Sequence, residues 1–325
     1  MANILRMKMR GILAVSEGSE KVQSMGKMQG MQKSLYPRRG RSIKKVLIPF
    51  AFLLPYLVIY LTFTLYPTAY SVVLSFMKFK GGNLSFVGLK NFQFLFSDPV
   101  FFKAIANTFI ILLIQVPIQT LLAVVLANFL NKKLLRCKGL LRMIIFMPVL
   151  IDTVSYSIVF RLFFNTENGM INNFLRSLGM AGPDWLNVGF LSKAVIMIAM
   201  TWRWTGYNTV IILGGLQNIP MELYEAASID GASTGQQFWN ITIPGIKPVL
   251  LFYVILSVTG TLQLFTEPYL LTYGGPVNET LTIVQYLYKV GFKTFNFGAA
   301  SAGSYVLAIM IGILTFLQLR VTKED

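Results

Sequence analysis

The run IANTFIILLIQVPIQTLLAVVLANFL fills residues 105–130 without one charged side chain. A helix rises 1.5 Å per residue, so about 20 apolar residues cross the ~30 Å hydrocarbon core of a bilayer. This stretch exceeds that length. Further apolar blocks lie at about 46–76, 140–163, 190–215, 248–272 and 299–319. Each is long enough for one crossing, which gives about six expected transmembrane helices in an all-α integral membrane protein. Pro49, Pro55 and Pro67 interrupt the first block. Proline is tolerated inside such helices when neighbours satisfy the freed carbonyls, so a kink is expected there.

Composition excludes several function classes. Of 325 residues, 54% are hydrophobic and 13% charged, against about 25% charged in a soluble domain. The formal charge is +16, from 29 Lys+Arg and 13 Asp+Glu. Much of that charge flanks the apolar blocks, where it orients a membrane protein, so membrane lipid and not nucleic acid is the expected contact. Cys137 is the sole cysteine, which forbids an intrachain disulfide. Histidine is absent, removing the commonest general base and metal ligand. No catalytic residue and no metal site is expected. There is no G-x-x-x-x-G-K-[ST] stretch to cradle nucleotide phosphates. The chain is expected to bind no cofactor, and any ATP hydrolysis with its Mg must occur in a partner.

Residues 1–45 form a basic, polar arm that ends in Arg38, Arg39, Arg41, Lys44 and Lys45. It has too little apolar surface to bury, so it is expected to be flexible. Residues 46–100 hold the first span and an external loop, and 101–320 the core. Lys132, Lys133, Arg136, Lys138 and Arg142 follow the second span, and Arg320 and Lys323 follow the last. These clusters share a side with the arm if every block crosses, and the positive-inside rule makes that side cytoplasmic. Lys78, Lys80, Lys90 and Lys103 on the opposite side weaken the bias. Both termini and the loop at about 217–247 are then cytoplasmic.

That loop carries Glu225-Ala226-Ala227-Ser228-Ile229-Asp230-Gly231-Ala232, followed by Phe238, Ile241, Pro244 and Pro248. Pro220 precedes a helical stretch, as suits a first turn, and Gly231 permits the backbone conformation that ends or bends a helix. Glu222, Glu225 and Asp230 make the loop acidic within a basic protein, which suits docking to a basic surface. E-A-A-x-x-D-G-A with I-x-x-P downstream resembles the EAA loop of ABC importer permeases. Phe52-Leu53-Leu54-Pro55, Tyr66-Pro67, Phe86 to Phe92, Ser97-Asp98-Pro99, Asn107-Thr108, Trp202 to Tyr207, Gly215 to Pro220, Gly274-Gly275-Pro276 and Tyr286 to Phe292 resemble, in order, the carbohydrate-uptake subfamily. That subfamily contains maltose-type and glycerol-phosphate-type permeases.

The resemblance implies a type I importer permease fold in a bacterial inner membrane. It implies a second homologous permease, two cytoplasmic ATPase subunits and an external solute-binding protein as partners. Glu225 then contacts the ATPase, Ala226 and Ala227 allow close approach, and Gly231, beside Asp230, makes the bend between two short coupling helices. Sugar uptake by ATP-driven alternating access follows. A non-sugar polar solute such as a phosphodiester and an ion-coupled secondary transporter are the alternatives; the second leaves the EAA loop unexplained.

Ionisable residues at membrane depth are costly unless they face protein or water. Asp152, Arg161, Arg203 and Glu267 are such residues, and Asp152 and Glu267 depart from the family pattern. Sugars need hydrogen-bonding groups and aromatic faces. Carried over from maltose-type permeases, the substrate path falls at Trp202, Thr205, Gly206, Thr209, Thr259, Gln263, Thr266 and Glu267. Thr259, Gln263 and Thr266, spaced four and three residues apart in the fifth span, are expected to share one helix face. Against this stand threonines that bond their own helix and a glycine that packs helices.

Overall fold

The computed structural model describes residues 43–80, 83–132 and 137–323, so all but the last three residues of the basic arm lie outside it. The chain divides into two compact units, Met1–Pro67 and Thr68–Asp325. Residues 68–100, grouped on sequence with the first span, belong to the second.

The described part of the first unit is one helical run. Helix α1 (Ile43–Tyr60) passes through a π turn, Leu61–Leu65, into the first two residues of α2 (Tyr66–Ser75), whose remainder is counted in the second unit. Proline has no N–H and its ring crowds the carbonyl four residues back. For Pro67 that carbonyl belongs to Phe63, inside the π turn, whose wider pitch relieves the clash. Phe52 and Phe63 are 83% and 74% exposed, as suits an apolar helix surrounded by lipid or by another chain.

In the second unit a two-stranded antiparallel hairpin, β1 (Met77–Lys80) with β2 (Asn83–Phe86), precedes α3 (Lys90–Ser97). Helix α4 (Pro99–Asn131) starts with Pro99 at its first position and the Asp98 carboxylate accepting from Val100 N at 2.8 Å. An acidic N-cap satisfies an orphan amide and a proline there sacrifices none. Next come α5 (Lys138–Leu150), α6 (Thr153–Phe163) and α7 (Met170–Ser177). Then follow α8 (Gly189–Gln217), α9 (Met221–Ile229) and α10 (Thr234–Gln237), which runs through a π turn into α11 (Ile243–Leu262). Pro244 repeats the Pro67 geometry, since the carbonyl four back, Asn240, lies in that π turn (Phe238–Thr242). The chain ends with α12 (Thr266–Leu271), α13 (Ile283–Tyr288), a third π turn (Lys289–Lys293) and α14 (Phe297–Lys323).

Helices α4 and α8 make the most extensive pair. Lipid is as apolar as leucine, so close approach of small residues holds such pairs together. Ala123 and Ala127 of α4 are fully buried against Ile212, Leu213 and Leu216 of α8 and Ile246 and Tyr253 of α11. A second cluster joins Phe101 and Ala104 to Leu262, Ile283, Leu287, Ala299 and Ala302 near the other end of α4.

The expected spans need two corrections. The block at 140–163 is two helices meeting at 93°. Pro148 sits in the last turn of α5, and the Asp152 carboxylate accepts from Val154 N and Ser155 N at the start of α6. Asp152 is therefore an exposed helix cap, which accounts for it without a ligand. The block at 248–272 is not one helix. The crossing helix begins at Thr234, within the expected loop, and ends at Leu262; Phe265 has φ −133° and ψ −54°, and α12 starts anew. Thr259, Gln263 and Thr266 consequently do not share a helix face. Among the described residues, four helical runs are long and apolar enough to cross a membrane: Phe52–Ser75, Pro99–Asn131, Thr234–Leu262 and Phe297–Arg320. The bent pair, taken as one span, makes a fifth. Helix α8 has the length, with 29 residues, but its polar run Thr201–Thr209 lowers its apolarity.

Candidate functional site

The coupling segment is built by local rules. Helix α9 closes in a Schellman motif: Ala232 N donates to Ala227 O at 2.9 Å and Gly231 N to Ser228 O at 3.2 Å. The motif needs a left-handed residue, and Gly231 supplies φ +77°. Ser233 then caps α10 through a reciprocal box with Gln236. Two short helices thus meet at a glycine bend. Glu225, Ala226 and Asp230 are exposed and Ala227 is half-buried. Met221, Leu223 and Ile229 are also exposed, Ile229 by 86%. Tyr224 Oη lies 2.9 Å from Thr242 Oγ1, tying α9 to the π turn below α11. A push on α9 therefore reaches α11 directly.

Deeper in the bundle lies a cavity of about 310 Å³, at the low end of the ~300–1,000 Å³ typical of small-molecule sites. Helices α4, α6, α8, α11 and α12 and the break after α11 line it. Helix α4 gives Gln115 and Gln119, and α6 gives Thr153. Helix α8 gives Met200, Trp204, Tyr207, Asn208 and Ile211, spacings of three and four that make one helical face. Helix α11 gives Tyr253, Leu256, Ser257, Gly260 and Thr261; then follow Gln263 to Glu267.

Two lining amides are only half satisfied. Gln115 Nε2 donates to Gln119 Oε1 at 2.7 Å, leaving Gln115 Oε1 and Gln119 Nε2 buried and unpaired. Each residue is only 2% exposed. An unpaired buried polar atom costs about 1–3 kcal/mol, so apolar packing alone does not account for this pair. Glu267 is 7% exposed, and Tyr156 Oη donates to its Oε1 at 2.6 Å. Arg203 donates to Thr153 Oγ1. Its guanidinium carbon stands 4.8 Å from the Tyr156 ring and 5.4 Å from the Trp204 ring, so Arg203 braces the wall without lining the cavity.

Of the residues expected in a substrate path, Gln263, Thr266 and Glu267 line this cavity. The others lie elsewhere. Thr205 and Thr209 donate to their own helix, to Thr201 O and Thr205 O. Gly206 packs against the Ile145 carbonyl, where a Cβ would collide. Trp202 packs on Tyr156 and Phe160, and Thr259 is half-buried outside the lining. Sequence reasoning passed over Gln115, Gln119, Asn208, Ser257 and Thr261. Gln115 and Gln119 carried a readable signal, as amides four apart in a charge-free span. Arg161 stands over Tyr273, 4.8 Å from its ring centre, away from the cavity. Among the described residues no three His, Cys, Asp or Glu side chains converge as metal ligands.

Opposite the coupling segment, Glu279 lies 2.7 Å from Lys103 Nζ and 2.9 Å from Lys193 Nζ. Asn107 Nδ2 donates to Asn278 O and Leu281 O. These contacts pin the 272–282 loop to the N-terminal ends of α4 and α8. Hydrogen bonds from both ammonium groups hold the Glu279 carboxyl down to about 2.

Comparison with known proteins agrees with this architecture. The family described as "Binding-protein-dependent transport system inner membrane component" matches residues 35–323. The lactose transport system permease protein of Rhizobium radiobacter is 44% identical over 278 residues, 84% of this chain and 93% of that protein. The arabinooligosaccharides transport system permease protein of Bacillus subtilis (strain 168) is 34% identical over 307 residues, 93% and 94% of the two chains. A crystal structure of a bacterial ABC transporter involved in the import of the acidic polysaccharide alginate matches with TM-score 0.77 and 22% identity, over 89% of this chain and 99% of that one. At that identity it speaks for the fold. The chain belongs to the binding-protein-dependent transport system inner membrane component family, the permeases of ABC importers.

Proposed function

We propose that this chain carries a sugar or oligosaccharide inward across a bacterial cytoplasmic membrane, holding it in the cavity between α4, α8 and α11. The polar side chains of the cavity lining, among them Gln115, Gln119, Asn208, Ser257 and Gln263, carry this reading, because they suit a ligand rich in hydroxyls. Trp204, Tyr207 and Tyr253 add the aromatic surface on which sugar C–H faces stack. The printed functions of the lactose and arabinooligosaccharide relatives support the substrate class.

The chain works with a second, homologous permease. An external binding protein delivers the ligand, and two cytoplasmic ATPase subunits bind ATP and Mg; this chain binds no cofactor. Both termini and the α9–α10 bend face the cytoplasm, with about six crossings counting α8 and the bent α5–α6 pair. Glu225, Ala226, Ala227, Asp230 and Gly231 meet the ATPase. Closure of the ATPases moves α9, and through the flanking α8 and α11 it opens the cavity to alternate sides. Gln263, Thr266 and Glu267, at the break between α11 and α12, are the substrate-path residues that face the ligand.

The test is uptake by proteoliposomes holding the four membrane-bound subunits, with binding protein outside and ATP inside. Labelled neutral saccharides should accumulate only with ATP. Absence of ATP-dependent uptake of every saccharide tried would overturn the reading.

A further inference from the structure

We propose that Glu267 makes the cavity selective for uncharged saccharides and turns away those bearing a carboxylate, phosphate or sulfate. The proposal rests on the cavity holding the transported ligand, and narrows its class. Among the described lining residues Glu267 is the one acidic side chain. No lysine or arginine lines the cavity to receive an anion. Arg203 is the neighbouring cation and stands outside the lining: it donates to the Thr153 hydroxyl, faces the Tyr156 and Trp204 rings, and keeps a buried Nε without a partner.

Glu267 cannot swing away. It is 7% exposed, sits on α12, and is held by Tyr156 Oη at 2.6 Å. A carboxylate offers about four lone-pair sites, so acceptor capacity remains for sugar hydroxyls once Tyr156 has taken its share. The amide residues Gln115 and Gln119 of α4 also line the cavity. A neutral polyol matches both features by donating to Glu267 and bonding either way to the amides. An acid group cannot donate to Glu267 and repels it. Two like charges several ångströms apart at a partly buried site change affinity by roughly a hundredfold.

The experiment uses the assembled transporter in nanodiscs without binding protein, so that only the membrane cavity is read. Saccharide binding is measured by calorimetry for matched pairs, lactose with lactobionate and galactobiose with digalacturonate. The wild-type complex should bind a neutral member and take its acidic partner about a hundredfold more weakly. Glu267→Gln, which keeps a hydrogen-bonding group beside Tyr156, should close that gap to a few fold. Tyr156→Phe keeps the carboxylate and should leave the gap open. Equal binding of acidic and neutral partners by the wild type overturns the charge selection while leaving the cavity as the sugar site. So does a gap that closes as fully in Tyr156→Phe as in Glu267→Gln, because Glu267 would then act through Tyr156. Binding of no saccharide overturns the cavity assignment itself, and the selection with it. The wild-type comparison needs no variant, so poor assembly of one leaves the proposal open to refutation.

Discussion

Gln115 donates to Gln119 one turn further along α4, and the two outward amide atoms of the pair remain buried and unpaired. A soluble core would not keep such a pair. Replacing both partners of a buried hydrogen bond by apolar groups of similar shape is nearly neutral or stabilising. Gln115→Leu with Gln119→Leu should therefore leave the melting temperature of the assembled complex equal or higher, while weakening saccharide binding by about tenfold or more. A lower melting temperature with unchanged binding would mean that the amides serve packing alone.

Gly206 should tolerate nothing larger. A Cβ at that position would overlap the Ile145 carbonyl oxygen, which is backbone and cannot turn aside. Gly206→Val should force α5 and α8 apart at a cost of about 1–3 kcal/mol, read as reduced yield of assembled complex. Thr205→Ala and Thr209→Ala only remove hydroxyls bonded to their own helix and should change assembly and affinity little. The contrast separates packing from ligand contact on one helix. A Thr209→Ala complex that assembles normally but loses affinity would put its hydroxyl back into the substrate path.

These three positions show where sequence reading stops. The charge-free run of α4 and the E-A-A-x-x-D-G-A turn were legible because length and local backbone rules fix them. The glycine bend appears at Gly231 with the positive φ that its neighbours demand. Which face of α8 meets the cavity was not legible. Apolar residues surround that helix, so periodicity gives no stripe, and the cavity face runs through Trp204, Asn208 and Ile211 instead of Thr205 and Thr209. The break at Gln263–Phe265 was hidden too, because no proline or glycine falls there. The Tyr156–Glu267 contact, across 111 residues of sequence, is created by the break and by the bend at Pro148.

The loop pinned by Glu279 should respond to acid. Its carboxyl is lowered from 4.5 to about 2 by Lys103 and Lys193. A depressed carboxyl stabilises the loop above its unfolded value, and that contribution is lost as pH falls from about 4.5 toward 2. The side chains of Glu279 and Lys103 are more than a third exposed, so the contribution is small, about 1 kcal/mol or less. The protection factors of residues 272–282, measured against intrinsic exchange at each pH, should fall over that window in the wild type. Glu279→Gln should show the lowered protection already at neutral pH, with little further change on acidification. Identical profiles for both proteins would show that the ion pairs do not hold the loop.

Glu225 sits on the exposed side of α9, one turn before the Schellman close at Gly231 and beside Tyr224, whose hydroxyl reaches Thr242 under α11. Nothing in the fold of this chain depends on its charge, so Glu225→Lys should insert and assemble with its partner permease normally. At a basic ATPase surface the reversed charge replaces attraction by repulsion, which costs several kcal/mol at an interface. ATPase subunits should then be lost on purification in moderate salt, and uptake should fall at least tenfold. High salt should not restore the contact, because screening weakens repulsion without supplying the lost pair. Glu222→Lys, in the first turn of the same exposed helix, is the matched control for charge alone. If both substitutions release the ATPase equally, the whole acidic face steers docking and Glu225 has no special place in it. If Glu225→Lys leaves ATPase retention and uptake intact, α9 docks through its apolar residues Met221, Leu223 and Ile229, and the charge is incidental.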